Sequence, residues 1–375
     1  METSPSALQV IDTQLCADSA EWCPFEGLQD VLLCGTYQLL ESEETAPSDQ
    51  PQVRVGQLQV YHLNNSDSEP TLSKSHCMDM PGILDIKWGR QRLDTAAVCG
   101  LVNAKGELQL WKIDGERGTG ETEDKSETQK VMPECLKTVE IAPDCIGLSL
   151  DWSAPFGGSS ARVVTSDSKG GVSVFDVTSD VTMTSQWHAH GFEAWICAFD
   201  QWNTDIVYSG SDDCKLKVWD LRVGETPVST NSRFTMGVCS LQSSPLRENL
   251  LAVGSYDENL SVFDTRKMRQ PISTTALGGG VWRVKWDPFS GRNILTASMH
   301  NGFHIVDCSK PDAEPLPVLA HYTNHTSLAY GVDWCRLKTE GKNTNTDHGD
   351  ENMEHCLLAS CSFYDHSLQI WQWPE

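Results

Sequence analysis

The amino-acid sequence predicts an all-β protein, a propeller of seven blades whose ring is closed by an N-terminal strand. Three observations predict this fold. A short alternating strand signature occurs seven times, the signatures recur at a nearly regular interval, and the last of them lies at the end of the sequence, where no further strand follows it.

Each signature is an alternating run that ends in an aromatic or apolar residue, in several cases followed by Asp. The seven runs are LQVY (58–61), LQLW (108–111), VSVFD (172–176), LKVWD (216–220), LSVFD (260–264), FHIVD (303–307) and LQIW (368–371). Their final aromatic or apolar residues are spaced by 50, 64, 44, 44, 43 and 65 residues. Four-stranded blades that repeat every ~40–45 residues are typical of WD40 β-propellers.

The longer intervals contain polar, acidic insertions. These are 114–130 and 339–354, and a similar segment is 41–50. Segments so poor in apolar residues are expected to be surface loops. We therefore predict that 1–375 is a single propeller domain with three acidic loop insertions.

Ring closure follows from the strand count. Two apolar segments precede each signature and a polar strand follows it, except after the last signature. The segment Ser6–Asp12 precedes the first blade and is expected to supply the missing outer strand. This arrangement removes an open edge that would otherwise pair with another chain.

A turn Asp precedes the signature strand in three blades, at Asp213, Asp257 and Asp365. In WD repeats this Asp usually bonds a His that precedes the inner strand, and His190 is placed for that role. Because buried polar groups must be paired, we expect Asp213, His190 and Trp219 to form a structural set.

Composition limits the function. With 28 Lys and Arg against 52 Asp and Glu, the net charge is −24, which disfavours nucleic acid and suits a cationic partner. Residues 1–22 lack the basic start and apolar block of a signal peptide, and no run is long enough to span a bilayer. Most of the 14 cysteines lie in apolar strands without Cys-x-x-Cys spacing. They predict buried thiols in a cytoplasmic protein and no metal site.

Standard catalytic motifs are absent, so a non-catalytic adaptor is the default interpretation. Blade six does not fit a bland adaptor, because His300 stands at the turn position where other blades have Asp. Further histidines are expected at the same face: His188, His190, His321, His325 and His366. A histidine there can serve as a general base, although turn histidines usually bond backbone or solvent.

The run Gly278–Gly280 before blade six allows two interpretations. Its N–H groups can line an oxyanion site, or the glycines simply permit a tight turn. Aromatic residues fall near the same rim, and carboxylates beside them would suit a quaternary ammonium group. The aromatic residues are Trp282, Tyr256, Tyr330 and Tyr364, and the carboxylates are Glu193, Asp257 and Glu258. In contrast, Trp88, Trp152, Trp286 and Trp334 are expected to be core.

Several strings go beyond a generic WD repeat. They are HAHGFEAW (188–195), YSGSDD (208–213), TMGVCS (235–240), QSSP (242–245), GSYDE (254–258), GGVWR (279–283) and CSFYDH (361–366). They resemble the diphthine methyl ester hydrolase (diphthine methylesterase) family of diphthamide biosynthesis, also named diphthine methyltransferase. The similarity is clear over 187–307 and 357–371 and weaker in the first three blades.

The resemblance implies that the protein hydrolyses the methyl ester of methylated diphthine on translation elongation factor 2. The substrate is then a protein side chain with a trimethylammonium group. The implied enzyme needs no cofactor or metal and is expected to act as a monomer. The alternative is a non-catalytic WD-repeat adaptor.

The resemblance supplies no catalytic residue, so the site is assigned from the residues themselves. We predict His300 as the base, assisted by His188, with Asp257 or Asp365 orienting an imidazole. A nucleophile at Cys239 or Ser240 stays open, although buried thiols are usually inert. The predicted substrate-binding residues are Glu193, Tyr256, Trp282, Arg283, Gly279, Gly280 and Tyr364.

Overall fold

A computed structural model describes residues 5–40, 52–64, 69–115, 131–153, 160–337 and 355–374. The predicted insertions 41–50 and 339–354 lie outside the described residues, as does 114–130 apart from its first two residues. The described residues form 29 strands in seven antiparallel sheets. None of them forms a helix long and apolar enough to cross a membrane.

The first three blades follow an N-terminal strand, β1 (Ser6–Asp12). Blade one contains β2 (Ala17–Trp22), β3 (Val31–Thr36), β4 (Gln38–Leu39), β5 (Arg54–Asn64) and β6 (Thr71–Pro81). Blade two contains β7 (Ile83–Trp88), β8 (Val98–Asn103), β9 (Glu107–Gly115) and β10 (Val131–Glu140). Blade three contains β11 (Gly147–Trp152), β12 (Ala161–Asp167), β13 (Gly171–Val177) and β14 (Val181–His188).

The remaining blades are more regular. Blade four contains β15 (Ile196–Phe199), β16 (Ile206–Gly210), β17 (Leu216–Asp220) and β18 (Ser229–Asn231). Blade five contains β19 (Val238–Ser243), β20 (Leu250–Ser255), β21 (Asn259–Asp264) and β22 (Ser273–Ala276). Blade six contains β23 (Val281–Trp286), β24 (Asn293–Ser298), β25 (Phe303–Asp307) and β26 (Val318–Tyr322). Blade seven contains β27 (Ala329–Trp334), β28 (His355–Ser362) and β29 (Ser367–Pro374).

The ring closes as the sequence predicts. Strand β1 pairs antiparallel with β29, with Ile11 opposite Leu368, and becomes the outer strand of blade seven. The first and last inner strands are also joined, because the backbone N–H of Trp22 donates to Asp333 Oδ2 at 2.8 Å. The prediction of a seven-bladed WD40 propeller closed by its N-terminal strand is confirmed.

Tryptophans at the ends of inner strands tie neighbouring blades together. The indole N–H groups of Trp88, Trp152, Trp286 and Trp334 each donate to a backbone carbonyl of the preceding blade, at 3.0–3.2 Å. All four side chains are buried, which confirms that they are core. Each bond contributes about 1 kcal/mol, in addition to the larger gain from burying the ring.

The structural set of blade four is confirmed and gains a member. His190 Nδ1 lies 3.1 Å from Asp213 Oδ1, and His190 Nε2 lies 2.7 Å from Ser209 Oγ. Trp219 Nε1 donates to the same hydroxyl at 2.8 Å. Burial lowers the pKa of His190 to about 4, against the opposing charge of Asp213, so the ring is neutral at pH 7.

Inner strands carry a repeated irregularity at one level. Six of the inner strands are each six residues long. In each of these, a β-bulge at the second residue shifts the pairing with the next strand of the same blade. The residues at this position are Asp18, Leu84, Leu148, Cys239, Trp282 and Tyr330. A bulge leaves its extra residue unpaired and re-aims the side chain, so this level of the ring presents six side chains of varied chemistry.

Candidate functional site

His300 lies in the turn between β24 and β25. Ala297 pairs with Phe303, which leaves a five-residue turn of the same length as in blades four and five. His300 is its third residue, the position held by Asp213 and Asp257 in those blades. The His300 side chain is exposed and has no hydrogen-bond partner among the described residues.

An open pocket of about 510 Å³ surrounds His300 between blades six and seven, and His325 and Tyr364 also line it. His325 Nε2 lies 2.7 Å from Ser360 Oγ, as His190 Nε2 lies beside a serine in blade four, but His325 Nδ1 lies 2.5 Å from the Ser362 hydroxyl instead of a carboxylate. Burial lowers the pKa of His325 to about 4, so its ring is neutral and structural. Of these two histidines, His300 is the one free to meet a ligand.

The glycine run before β23 packs against the His300 turn. A Cβ on Gly279 would lie 2.3 Å from the Ser298 carbonyl oxygen, and one on Gly280 would lie 3.1 Å from Met299 Sδ. The N–H groups of Gly279 and Gly280 donate to no acceptor in the described parts of the chain. Two backbone donors therefore lie beside the turn that carries His300.

Five aromatic rings from blades four to seven form a contiguous group, here named the mouth aromatic cluster: Trp195, Tyr256, Trp282, Tyr330 and Phe363. Trp282 is central, with ring centroids 5.6 Å from Trp195, 5.8 Å from Tyr256 and 4.9 Å from Tyr330. Phe363 stacks on Tyr330 at 4.9 Å. Such rings combine apolar surface with negative faces that attract cations.

Tyr364 connects this cluster to the His300 pocket. Its ring packs edge-on against Phe363 at 5.0 Å, and its side chain, 70% exposed, also lines the pocket. Met299, directly before His300, accepts the N–H of Ala329, the residue before Tyr330. The predicted residues Tyr256, Trp282, Tyr364, Gly279, Gly280 and His300 are thus brought to one region.

Other predicted residues lie apart from this region or have other partners. His188 ends the outer strand β14 opposite Gly171, exposed, and the structure does not bring it to His300. The histidine beside the turn is His321, whose Nε2 lies 2.8 Å from the Asn301 carbonyl oxygen. An assisting role for His188 stays a prediction.

The candidate carboxylates differ in their partners. Asp257 Oδ1 accepts from Asn259 within its own turn, and no imidazole contacts it among the described residues. Asp365 accepts from Ser362, which in turn contacts His325, so it supports a structural histidine. Glu193 is half-buried in the loop before Trp195.

Arg283, predicted as a substrate-binding residue, lies in the interior of the ring. It is buried and donates to Asp85 Oδ1 at 3.0 Å. Lys87 also reaches Asp85, at 2.6 Å, and Lys285 reaches Glu21 at 2.5 Å. The interior below the cluster therefore contains paired charges, and Arg283 belongs to them.

The two possible nucleophiles are inaccessible. Cys239 is buried and its Sγ donates to the Val281 carbonyl at 3.1 Å, and burial raises the pKa of its thiol. Ser240 is buried and accepts the Val284 N–H at 2.9 Å. Among the residues that the structure describes, no group of three or more His, Cys, Asp or Glu is arranged to hold a metal ion.

Asp18 is the residue that sequence reasoning missed. It is 3% exposed in β2, and its Oδ1 has no hydrogen-bond partner in the part of the chain that the structure describes. Burial raises its pKa to about 8. A signal was present, because Asp18 lies four residues before Trp22, as Trp282 lies four before Trp286. Aligning the inner strands on these tryptophans would have placed it at the level of the cluster.

Comparison with known proteins gives the family. No family model matches the chain. Mouse diphthine methyltransferase is 40% identical, over 98% of this chain and 93% of its own. The human protein of that name is 35% identical over 98% of both chains. The Dictyostelium discoideum homolog is 35% identical over 95% of this chain and 96% of its own.

A solved structure supports the fold alone. A chain in the crystal structure of the mitotic checkpoint complex matches with a TM-score of 0.66 at 15% identity, over 100% of this chain and 96% of its own. The relatives, in contrast, match at 35–40% identity over nearly the whole sequence. The chain belongs to the diphthine methyltransferase family.

Proposed function

We propose that the protein hydrolyses the methyl ester of methylated diphthine on translation elongation factor 2, releasing methanol and diphthine during diphthamide biosynthesis. Membership of a family named for diphthine supports the pathway. The name specifies methyl transfer, whereas the site favours hydrolysis. The observation that carries the proposal is an exposed His300 beside the N–H groups of Gly279 and Gly280, all three without a hydrogen-bond partner among the described residues.

The reaction needs only water and these groups. His300 accepts a proton from water as the water oxygen attacks the ester carbonyl carbon. The Gly279 and Gly280 N–H groups stabilise the resulting oxyanion. The C–O bond to the methoxy group then breaks, and the departing oxygen takes the proton from the His300 imidazolium. The products are methanol and a carboxylic acid that ionises.

The surroundings suit a substrate carried by a protein. The His300 pocket is open, so a long side chain can enter while its protein stays outside. The net charge of −24 favours approach of a cationic group. We propose further that the protein acts as a monomer in the cytoplasm.

The test is incubation of the purified protein with methyl-esterified elongation factor 2. Intact mass spectrometry should show a loss of one methylene per factor, with stoichiometric methanol. His300→Ala should reduce kcat by about 10²–10⁴-fold, the usual contribution of a general base. His76→Ala, on outer strand β6 of blade one, is the matched control and should retain activity.

Three outcomes would reject parts of the proposal. A stable complex with the factor but no mass change would favour the adaptor function. A gain of methyl mass that requires a methyl donor would make the enzyme a transferase. Full activity of His300→Ala would remove the proposed base while leaving the hydrolysis in place.

A further inference from the structure

Three consecutive inner strands have their bulge residues at the same level of the ring. In β23, β27 and β2 the shifted residues are Trp282, Tyr330 and Asp18. Blades six, seven and one are neighbours in the closed ring, and the backbones of the last two approach closely at this level. A Cβ on Gly331 would lie 2.9 Å from the Asp18 carbonyl oxygen. A carboxylate thus lies in the structural position that aromatic rings occupy in the two preceding blades.

The charge of Asp18 is not neutralised by an ion pair. Among the described residues, three acids on the same or adjacent inner strands are in ion pairs: Glu21 with Lys285 and Lys87, Asp85 with Arg283 and Lys87, and Asp333 with Lys285. No ion pair includes Asp18, and its buried Oδ1 lacks a hydrogen-bond donor. An unpaired buried carboxylate costs several kcal/mol to ionise, so it favours a cation nearby.

Several ionisable groups act on Asp18 or respond to its charge. They are Arg283 on β23, Asp85 and Lys87 on β7, Tyr330 on β27, Tyr256 after β20, Cys34 on β3, Cys361 on β28, and Cys16. Burial raises the pKa of Tyr330, and the charge of Asp18 raises it further. This coupling links Asp18 electrostatically to a ring of the cluster.

The cluster alone would accept any apolar group of suitable size. Trp282 contacts three other rings, and Tyr330 extends the surface to Phe363. A quaternary ammonium group has no N–H to donate, so it is recognised by aromatic faces and by a carboxylate that need not form a hydrogen bond. Asp18 meets that requirement, because its ionised carboxylate carries a negative charge and its Oδ1 accepts no hydrogen bond from the described residues.

We propose that the mouth aromatic cluster is a binding site for a quaternary ammonium group, and that Asp18 is the counter-charge that makes the site selective for a fixed cation over a neutral group of the same shape. The inference deepens the proposed function and rests on it for the natural ligand, a trimethylammonium-bearing side chain. It replaces Glu193, Asp257 and Glu258, the carboxylates that the sequence suggested, with a residue from blade one.

The test compares choline with its neutral isostere 3,3-dimethylbutan-1-ol, by titration calorimetry and by the fluorescence of the intact protein. At pH 9, where Asp18 is ionised, choline should bind at least about tenfold more tightly, which corresponds to one strong cation–π or charge contact. Asp18→Asn should remove most of this preference while the neutral alcohol binds as before. Trp282→Leu should weaken choline binding by about tenfold.

Matched controls isolate the site. Asp312→Asn changes an exposed carboxylate between β25 and β26, and Trp202→Leu changes a partly exposed tryptophan outside the cluster. Both should leave the preference unchanged. If Asp18→Asn does not fold, magnetisation transfer in NMR from choline methyl protons to indole protons of the wild-type protein, lost in Trp282→Leu, gives the second measurement.

Equal affinity for choline and the alcohol would overturn the proposal, as would an unchanged preference in folded Asp18→Asn or a lack of choline binding. These results are separable from the esterase test. Choline selectivity without ester hydrolysis would reject the proposed function and retain the cation site. Ester hydrolysis without choline selectivity would retain the proposed function and reject the cation site.

Discussion

Gly279→Ala should displace the turn that carries His300. The new methyl group would lie 2.3 Å from the Ser298 carbonyl oxygen and 3.0 Å from the Asn301 nitrogen. Real Cβ contacts are essentially never shorter than 3.0 Å, so one backbone must move by about 0.7 Å or more. The methyl group would contact both atoms of the hydrogen bond that closes the turn, in which the Asn301 N–H donates to the Ser298 carbonyl at 2.6 Å.

The magnitude follows from this geometry. Overpacking of this kind costs about 1–3 kcal/mol in the free energy of unfolding. A shift of roughly 1 Å between a base and its substrate costs up to about 100-fold in rate. Because the same substitution moves His300 relative to the Gly279 and Gly280 N–H groups, kcat should fall more than KM rises.

Denaturant unfolding and ester hydrolysis are the two assays. Gly191→Ala is the matched control, because a Cβ at Gly191 meets nothing within 4 Å and the residue lies in the loop before blade four. It should have wild-type stability and activity. If Gly279→Ala unfolds at the wild-type denaturant concentration and keeps wild-type kcat, the close packing of the glycine run on the His300 turn is refuted.

Three further predictions concern buried charge. Asp213→Ala should lower the free energy of unfolding by about 1–3 kcal/mol, because His190 loses its carboxylate partner; an unchanged denaturation midpoint would contradict the structural set. Lys285→Met should destabilise by about 3 kcal/mol at pH 7, because it removes a cation from buried Glu21. Burial raises the pKa of Glu21, but Lys285 and Lys87 lower it more, to about 2, so the loss should shrink as pH falls from 4 towards 2 in unfolding measurements. Choline affinity should rise roughly tenfold from pH 6 to pH 9, because burial raises the pKa of Asp18 to about 8 and a cation favours the ionised form; Asp18→Asn should bind with no such pH dependence in calorimetry.

Sequence patterns were sufficient for the fold because each blade repeats the same local chemistry. The signature strands alternate in the period of a half-buried strand, and the turn Asp of blade four meets the expected His190. Even ring closure followed from local evidence, since the last signature needed one more strand and Ser6–Asp12 was the segment without a blade. The inserted loops 41–50 and 339–354 lie outside the described residues and stay predictions.

The site was predicted only in part. The sequence singled out His300 because it stands where other blades have the turn Asp, and Trp282 and Tyr256 because they fall near the same predicted rim. It did not show that His188 ends the outer strand of blade three, whereas His190, two residues further on, is buried in blade four. It also predicted Arg283 as a substrate-binding residue, because alternation alone does not show where a bulge shifts the direction of side chains.

The sequence by itself therefore determined the number of blades, the strand that closes the ring, and the turn where blade six departs from the repeat. The blade count and the turn of blade six depend on periodicity along the chain, and the closing strand was inferred by counting the strands that the repeat requires. Only the tertiary structure decided that Asp18 is buried and that its Oδ1 has no hydrogen-bond partner among the described residues. Closing the ring brings the first and last blades together, and the charge state of a buried group depends on all the neighbours that surround it in space.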